Sequence, residues 1–408
     1  MLLGIFSDTH LGFSAGSDDR YEESFARFCE AIKVFREKKV DAILHAGDLF
    51  DDAVPTQEVW QKSFECFALN NHTNTLTSLT KHLHDGTSAA ALVKGVPIIA
   101  IHGTHEYRGK DFSNALQVLE EANCLVHLHA GYVEFSTNGE KVCIHGLGGV
   151  PEKHAKEVLQ KYSPHPIPGA TNLLLLHQSF KEFLPFDDDE SIASLSLSDL
   201  PDGFDLVIDG HLHWSDEQNI SGKKFILTGS TIFTQMKNLE SQKPKGVFLF
   251  DTSKKQLTFL SFAEQRKLFY NKMNFKEAQP DQVISAVQEK LSPIFAKTYS
   301  AKPLVRFKLC GSLAKGFSQS DISIDLSKFS DKAIFSVSKD FAVESFQKKM
   351  ESLRGLQSEK KSVLDLGVDI LEKNIEEAGL KGLDTRRLFE LLSVGDNEKA
   401  EEVLLKEA

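Results

Sequence analysis

Short apolar runs recur along the first part of the chain, and several of them stop at an aspartate or a histidine. Val96 to Ile101 is one such run, and it is followed at once by the turn His102–Glu106. The runs predict buried β-strands, and the segments between several of them have the apolar spacing of helices. Strands that alternate with helices favour an α/β fold or a layered α-β sandwich.

The residues at these strand ends share the ability to bind a metal ion or a phosphate. They are Asp8, His10, Asp48, Thr104, His105, His177, His211 and His213. In α/β sheets, functional groups gather at the carboxyl ends of the strands. One such residue is weak evidence of a site, but an ordered set on five strands predicts that the side chains converge.

Carboxylate and imidazole ligands without thiolate suit manganese, iron or zinc in a hydrolytic site. One carboxylate can bridge two cations about 3.5–4 Å apart, and such a pair activates water and neutralises charge on a phosphoryl group. A nearby histidine outside the ligand set can place the phosphate or protonate the leaving oxygen. The pattern therefore predicts phosphoester hydrolysis.

Composition limits the partners and the compartment. The 408 residues suffice for two or three domains, and the net charge of −11 means that contact with nucleic acid needs a local basic surface. No apolar run approaches the ~18 residues of a membrane span, and the N-terminus lacks the features of a signal peptide. The five cysteines are scattered, so we expect no zinc ribbon or disulfide framework, and a reducing, cytoplasmic environment.

The character of the chain changes near residue 265, and we expect three regions: 1–265, 266–340 and 341–408. Residues 266–318 carry ten Lys and Arg against three Asp and Glu, which predicts either a small basic α/β module or a solvated basic face. Helices are expected in the last region. Residues 70–95 are interpreted as an inserted helix and loop, with His82 and His84 on a solvated surface.

The motifs closely resemble those of the calcineurin-like metallophosphoesterases. Within that superfamily they look most like the nuclease subunit of the double-strand-break repair complex, of the SbcD or meiotic-recombination-eleven type. The matching segments are "SDTHLG", "LHAGDLFDDAVPT", "GTHE", "LHQ", "GHLHW" and "LTGSTIFTQ". The resemblance implies a four-layer α-β-β-α sandwich with a small α/β cap domain and C-terminal helices.

The resemblance also implies a centre of two manganese ions, for which other divalent metals could substitute. By motif, the first ion would be held by Asp8, His10, Asp48 and His213, and the second by Asp48, His177 and His211.

Other residues near the motifs receive supporting roles from the resemblance. His105 would act on the substrate phosphate, and Glu106 would orient it. His45 would either support a ligand or belong to the core. His102 and His145 are interpreted as structural, His145 with a position at the rim as an alternative.

Thr104 departs from the family pattern, which has asparagine between the glycine and the histidine of this turn. The asparagine carbonyl ligates the second metal in the family, and a neutral hydroxyl is a poorer ligand. Thr104 could bind directly or through water, the second metal could be weaker, or the nuclease could be slowed.

The resemblance implies DNA as substrate and a coiled-coil SMC-like ATPase, of the SbcC or Rad-fifty type, as partner. The basic cap would contact DNA, and the C-terminal helices would dock on the ATPase. A homodimer would form through the helix of residues 55–68. We expect no membrane contact and a cytoplasmic protein, associated with the nucleoid in a prokaryote. The candidate ATPase-binding residues, which could instead pack against their own domain, are Val363, Leu364, Val368, Leu371, Ile375, Leu388, Phe389, Leu392, Val403 and Leu404.

Three functions compete at this stage. The first is a manganese-dependent DNA exonuclease or endonuclease in break repair. The second is a phosphatase or cyclic-nucleotide phosphodiesterase on the same core, which would not need the basic cap or the C-terminal helices. The third is a DNA-end-binding scaffold whose catalysis is weakened by Thr104.

Overall fold

The fold is described by a computed structural model of the chain. The described residues are 1–15, 18–71, 76–109, 111–137, 139–184, 195–220, 222–341, 368, 371–372, 375 and 384–393.

Strands dominate the described residues. They are β1 (Leu2–Phe6), β2 (Ala42–Ala46), β3 (Leu76–Leu83), β4 (Ser88–Lys94), β5 (Ile98–Ile101), β6 (Val126–His127), β7 (Gly131–Thr137), β8 (Glu140–Gly146), β9 (Thr171–Leu176), β10 (Leu206–Asp209), β11 (Asp216–Ile220), β12 (Lys223–Leu227), β13 (Gly246–Asp251), β14 (Gln256–Ser261), β15 (Leu268–Ala278), β16 (Leu304–Leu313) and β17 (Ile334–Phe341).

Helices lie between several of these strands and after them. The α-helices whose full bounds fall in the described ranges are α1 (Asp18–Glu37), α2 (Gln57–Ala68), α3 (Ala115–Glu121), α4 (Glu152–Tyr162), α5 (Asn238–Ser241), α6 (Pro280–Phe295) and α7 (Thr385–Ser393). Short 3₁₀ helices cover Lys181–Phe183, Leu197–Asp199, Gln319–Asp321 and Ser327–Phe329.

Two large sheets form the centre of the first 271 residues. The six-stranded sheet has the order β14-β13-β1-β2-β5-β6, and the eight-stranded sheet has the order β11-β12-β10-β9-β8-β7-β3-β4. Strands β1, β2, β5 and β6 pair in parallel, as do β8, β9, β10 and β12. Each sheet therefore has a parallel centre, whose carboxyl ends are the expected place for a site.

Three apolar clusters give the order of the layers. One cluster joins the inner faces of the two sheets, where Ile5 and Leu44 pack with Leu175 and Ile208. A second lies between the six-stranded sheet and α1, α2 and α3, and the third includes α4 and the outer face of the eight-stranded sheet. The order is helix, sheet, sheet, helix, so the predicted α/β sandwich of four layers is confirmed.

Residues 76–94 correct one prediction. This segment was interpreted as a helix and loop, but it forms the antiparallel hairpin β3–β4 at the end of the eight-stranded sheet. Its side chains are mostly exposed, and only Leu79 and Val93 are buried, so the apolar run Ala89–Val93 lies largely at the surface. His84 is exposed as expected, whereas His82 is half-buried and stacks on Tyr132 with ring centroids 4.5 Å apart.

A disulfide corrects a second prediction. Cys29 on α1 is bonded to Cys66 on α2, although the cysteine spacing favoured free thiols throughout. The two residues are 37 apart in sequence, and the two helices bring them together against the same sheet face. Cys124, Cys143 and Cys310 are free.

The disulfide predicts a measurable stabilisation. A cross-link of this kind typically contributes about 2–4 kcal/mol, mainly by restricting the unfolded chain. We expect the double substitution Cys29→Ala/Cys66→Ala to lower the free energy of unfolding in urea by about 3 kcal/mol. Cys124→Ala is the matched control. A reducing agent should destabilise the wild type and leave the double variant unchanged; equal effects on both would contradict the bridge.

The remaining chain is described by itself. Strands β15, β16 and β17 form a three-stranded sheet, and α6 buries Val283, Val287 and Leu291. This agrees with an α/β composition for the basic segment, while the boundaries 266–340 and 341–408 stay predictions. In α7, Leu388 is buried, with 2% of its surface exposed, so it offers no exposed area to a partner.

Of the predicted apolar stripe at Val363–Ile375, the described residues include Val368, Leu371 and Ile375. The remaining stripe residues, Val363 and Leu364, lie outside the described residues, and so do Val403 and Leu404. No helix in the described part of the chain is long and apolar enough to span a membrane.

Candidate metal centre

The strand-end residues of the first 271 residues converge on one place. Three groups of side chains each bring one candidate ligand atom per residue within 4.8 Å of the others. The groups are Asp8, His10 and His213; His10, Asp48 and His105; and Asp48, His177 and His211. Because His10 and Asp48 each belong to two groups, the three form one continuous cluster.

The backbone conformation sets the direction of several of these side chains. Asp8, His10, Asp48 and His211 all have positive φ, at 50°, 45°, 51° and 72°. Residues other than glycine rarely adopt this region, and such strain concentrates at functional sites. Each of the four follows the end of a buried parallel strand, so the tight turn directs the side chain across the carboxyl edge of its sheet.

Asp48 lies at the centre of the cluster. Its Oδ2 is 3.1 Å from His177 Nε2, and its Oδ1 accepts a hydrogen bond of 2.9 Å from the backbone N–H of His105. Burial disfavours the charged carboxylate, but the charge of His177 and further histidines holds its pKa well below the usual value. Asp48 is therefore an ionised carboxylate, with Oδ2 toward His177 and Oδ1 toward the turn that carries His105.

His177 has one nitrogen in use and one available. Its Nδ1 donates to Ala46 O at 2.7 Å, which leaves Nε2 buried and without a well-aligned hydrogen-bond partner. Although burial favours the neutral ring, the charge of Asp48 raises the pKa of His177 to about 10. A proton occupies the place where a cation would bind, and metal binding displaces such protons.

Asp8, His10 and His213 form the other side of the cluster. Burial, assisted by the charge of Asp48, raises the pKa of Asp8 to about 6. His10 Nε2 lies 3.2 Å from His213 Nε2, and His213 Nε2 lies 3.7 Å from Asp8 Oδ1. Two buried carboxylates facing several imidazole nitrogens are a donor set that fits divalent cations.

His211 completes the group around His177. Its backbone N–H donates to both oxygens of Asp8, at 3.0 and 3.2 Å. Its Nε2 is 3.5 Å from Glu152 Oε1, and burial lowers the pKa of the ring to about 4. A neutral imidazole is the form that binds a metal.

His105 is the most exposed of the predicted site residues, with 42% of its side chain accessible. Its Nδ1 donates to the backbone carbonyl of Asp51 at 2.5 Å, and its ring packs edge-on against His10 with centroids 4.8 Å apart. The carbonyl can only accept, so Nε2 carries the lone pair of the neutral ring. Thr104, between Gly103 and His105, is half-buried.

Glu106 differs from its predicted contact. Its carboxylate accepts hydrogen bonds from the backbone N–H groups of Phe50, at 2.6 Å, and Gly103, at 2.7 Å, instead of contacting the His105 ring. Glu106 thus joins the two loops that carry Asp48 and His105. The residue that orients His105 is Asp51, whose carboxylate also lies 3.1 Å from His10 Nδ1. Sequence reasoning missed Asp51, because its contact with His105 is made by a backbone carbonyl, which every residue has.

The remaining histidines surround the cluster. His45 is buried, and its Nε2 is 3.4 Å from Thr9 Oγ1, so it belongs to the core behind the site. His102 is buried and its Nδ1 is 3.0 Å from His127 Nε2, which agrees with a structural role. His145 is also buried and stacks on Tyr132.

Comparison with known families decides what kind of centre this is. The profile of the family described as calcineurin-like phosphoesterase matches residues 1–215, which is more than half of the chain. The chain belongs to the calcineurin-like phosphoesterase family. The prediction of a metal-dependent phosphoester hydrolase is confirmed at this level, because the family uses a divalent metal centre and the cluster supplies candidate ligands.

Relatives of this phosphoesterase cover most of its length. The DNA double-strand break repair protein Mre11 of Thermoplasma acidophilum is 27% identical over 346 residues, which are 81% of this chain and 81% of that protein. Mre11 of Sulfolobus acidocaldarius is 24% identical and covers 100% of this chain and 98% of its own. Double-strand break repair protein MRE11 of Arabidopsis thaliana is 24% identical over 97% of this chain and 60% of the plant protein. The resemblance inferred from the motifs is therefore confirmed.

Glycines at the phosphoesterase centre allow its close packing. A Cβ at Gly210 would lie 2.3 Å from Ala46 O and 2.7 Å from His177 Nδ1, the two atoms of one hydrogen bond. A Cβ at Gly103 would lie 2.0 Å from Asp48 Oδ1. No side chain larger than hydrogen fits at either position without moving a candidate ligand.

Gly210→Ala gives a direct test of this packing. We expect it to displace the His177 ring and to weaken Mn²⁺ binding about 10–100-fold, the usual effect of disturbing the support of a metal ligand. The matched control is Gly109→Ala, whose Cβ would meet only Phe112 Cδ2, at 3.9 Å. Titration of Mn²⁺ by electron paramagnetic resonance measures both, and equal affinities would contradict the packing argument.

Proposed function

We propose that this protein is a two-manganese DNA nuclease, with exonuclease or endonuclease activity, that acts in double-strand-break repair with a coiled-coil SMC-like ATPase. The observation that carries the proposal is the cluster in which Asp48 joins two groups of ligands. The sequence relatives named Mre11, one of which matches along nearly its whole length, support DNA as the substrate.

The proposed ligands follow the family motifs, and the Asp and His residues among them all belong to the cluster. Asp8, His10, Asp48 and His213 would hold one cation, and Asp48, His177 and His211 the other, with Thr104 as a candidate further ligand. Two divalent cations supply Lewis-acid stabilisation of the charge that develops on a phosphoryl group. The ligand side chains would hold such a charge-neutralising centre at the carboxyl ends of the strands.

His105 would act on the substrate. Because its Nδ1 donates to the Asp51 carbonyl, Nε2 is the nitrogen left for the substrate, and in the protonated ring its N–H would bind the phosphate or pass a proton to the leaving oxygen. Its exposure, the highest among the proposed site residues, suits contact with substrate better than burial around an ion. Glu106 keeps the turn in place by bonding to both adjoining loops.

The surface near His105 offers further groups for DNA. Tyr107 and Phe112 are exposed, at 47% and 63%, and the Arg108 guanidinium lies 4.9 Å from the Phe112 ring centroid. Aromatic rings and arginine are the groups on which unpaired bases stack. The basic excess of residues 266–318 supports a second DNA contact, since Lys and Arg neutralise phosphates.

The partner assignments extend the proposal. The C-terminal helices would bind the ATPase. A homodimer would form at α2, where Phe64 is 40% exposed and stacks on Trp60, and nearby Val54 is 66% exposed. The protein would work in the cytoplasm on chromosomal DNA, at the nucleoid in a prokaryote.

Hydrolysis of linear DNA tests the proposal against its rivals. Purified protein is incubated with Mn²⁺ or Mg²⁺ and double-stranded DNA, single-stranded DNA or a chromogenic phosphodiester. Manganese-dependent release of nucleotides is expected. Hydrolysis of the small phosphodiester without hydrolysis of DNA would contradict the nuclease and favour a phosphatase or cyclic-nucleotide phosphodiesterase. DNA binding without hydrolysis of either substrate would favour the scaffold.

Thr104 gives a second test. We expect Thr104→Asn to keep nuclease activity and to tighten binding of the second Mn²⁺ about tenfold, because an amide oxygen is a better ligand than a neutral hydroxyl. Thr104→Val removes the hydroxyl at similar volume and serves as the control. If only Thr104→Asn cleaves DNA, the wild-type chain is a scaffold and the nuclease proposal is wrong.

A further inference from the structure

A buried ion pair lies behind His213. Lys245 Nζ is 3.0 Å from Glu240 Oε1, and the two side chains are 5% and 1% exposed. Removing two charges from water is costly, and their mutual attraction repays it only when further hydrogen bonds satisfy both groups. The other hydrogen bonds of Lys245 and Glu240 therefore show which parts of the chain this ion pair holds in place.

The ammonium of Lys245 binds the chain at His213. It donates to the backbone carbonyl of His213 at 2.7 Å and to Ser230 Oγ at 2.8 Å. Ser230 Oγ in turn donates to Ile232 O at 2.6 Å. The backbone of His213 is thus tied to the loop that follows β12.

The carboxylate of Glu240 binds the same loop further along. Its oxygens accept hydrogen bonds from the backbone N–H groups of Thr234, at 2.9 Å, and Gln235, at 3.2 Å. The Arg20 guanidinium donates to the adjoining carbonyl of Phe233. The backbone at Thr234 is therefore held from two sides by buried charged groups.

Thr234 connects this fixed backbone to the imidazole ring of His213. Its hydroxyl is hydrogen-bonded to His213 Nδ1. When Nδ1 donates to the hydroxyl, His213 Nε2 keeps its lone pair, and Nε2 is the nitrogen that lies near His10 and Asp8. A metal-binding histidine has its ring and tautomer fixed by the partner of its other nitrogen.

We propose that Thr234, Lys245 and Glu240 are positioning residues that set the ring orientation and tautomer of His213 for cation binding. The inference rests on the proposed function, in which His213 is a ligand of the first ion. It adds to that function a structural support for His213, formed by Lys245 and Glu240, which lie more than twenty positions after His213 in the sequence.

Manganese affinity tests the inference without relying on activity. Electron paramagnetic resonance titration of the full chain is used to compare Thr234→Val, Thr234→Ser and the wild type, with folding checked by circular dichroism. We expect Thr234→Val to lose about 10–100-fold in Mn²⁺ affinity and Thr234→Ser, which keeps the hydroxyl, to retain it. Lys243→Met is the matched control, because Lys243 lies on the same segment and forms an exposed pair with Asp216.

The ion pair is tested by removing both charges together. Breaking one partner leaves a buried charge and can unfold the protein, whereas replacing both with apolar residues is often neutral for stability. Lys245→Met/Glu240→Leu is expected to fold and to bind Mn²⁺ about tenfold more weakly. Wild-type affinity in this variant and in Thr234→Val would overturn the inference.

His213→Ala separates this inference from the proposed function. Loss of Mn²⁺ affinity in His213→Ala together with wild-type affinity in Thr234→Val would overturn the positioning role alone. Wild-type affinity in His213→Ala would overturn both, because His213 would then not be a ligand.

Discussion

Replacing Asp48 with asparagine is expected to abolish metal-dependent DNA hydrolysis. Asp48 belongs both to the group with His177 and His211 and to the group with His10 and His105, and an amide offers only one oxygen where the carboxylate offers two. Loss of metal stabilisation worth several kcal/mol corresponds to a rate decrease on the order of 10³-fold or more. The reaction is measured as nucleotide release from linear DNA in Mn²⁺.

Asp52→Asn is the matched control for this experiment, because Asp52 lies in the same loop and is exposed. It removes the same charge from the chain without touching the cluster. We expect Asp52→Asn to cleave DNA at the wild-type rate and Asp48→Asn to stay folded by circular dichroism. Full activity in Asp48→Asn would mean that Asp48 does not join two cations.

The second large effect is expected at His105. His105→Ala should reduce the rate of DNA hydrolysis about 10²–10⁴-fold, the usual contribution of a positioned acid or base. Mn²⁺ binding should be retained, because the other proposed ligands are unchanged. Rate and Mn²⁺ stoichiometry measured on the same preparation separate a role on the substrate from a role as a ligand.

His84→Ala controls for loss of a histidine in general, since His84 is exposed on the hairpin β3–β4. It should leave both quantities unchanged. Loss of one bound Mn²⁺ in His105→Ala would make His105 a ligand, as its place in the group with His10 and Asp48 allows. Wild-type hydrolysis in His105→Ala would contradict any part in the reaction.

The central strands could be predicted well from the sequence because strands that are buried on both faces consist almost entirely of apolar residues. Strands such as β2 and β9 are buried along nearly their whole length, and parallel strands covered on both faces become continuous apolar runs. The hairpin β3–β4 was missed because most of its side chains are exposed. The apolar run Ala89–Val93 in β4 does not by itself distinguish a strand from a helix, and the strand conformation comes from the pairing of β3 with β4 and β7.

The convergence of the candidate ligands was predictable for the same reason. Each follows a buried strand, and the carboxyl ends of parallel strands lie at one edge of their sheet. The sequence did not show that the ligands divide between two sheets, with Asp8, His10 and Asp48 on one and His177, His211 and His213 on the other. What could not be predicted was contact between residues far apart in sequence. The Cys29–Cys66 disulfide joins two helices, and Lys245 reaches back 32 positions to the His213 carbonyl. Spacing along the chain carries no signal for either.

Glu106 shows a limit of a different kind. The motif indicated that Glu106 supports the site but not which groups it bonds. Its partners are the backbone N–H groups of Phe50 and Gly103, and almost every residue type has such a group. Asp51 orients His105 instead, because its backbone carbonyl accepts a hydrogen bond from His105 Nδ1. Any residue at that position has a carbonyl, so the motif could not have indicated it.

Crystals grown with Mn²⁺ test the central claim most directly, through the anomalous scattering of manganese. The claim is that Asp8, His10, Asp48, His177, His211 and His213 form one centre for two cations. The account predicts two anomalous peaks, one among Asp8, His10, Asp48 and His213, and one among Asp48, His177 and His211. A single peak away from Asp48, or none at saturating Mn²⁺, would contradict it.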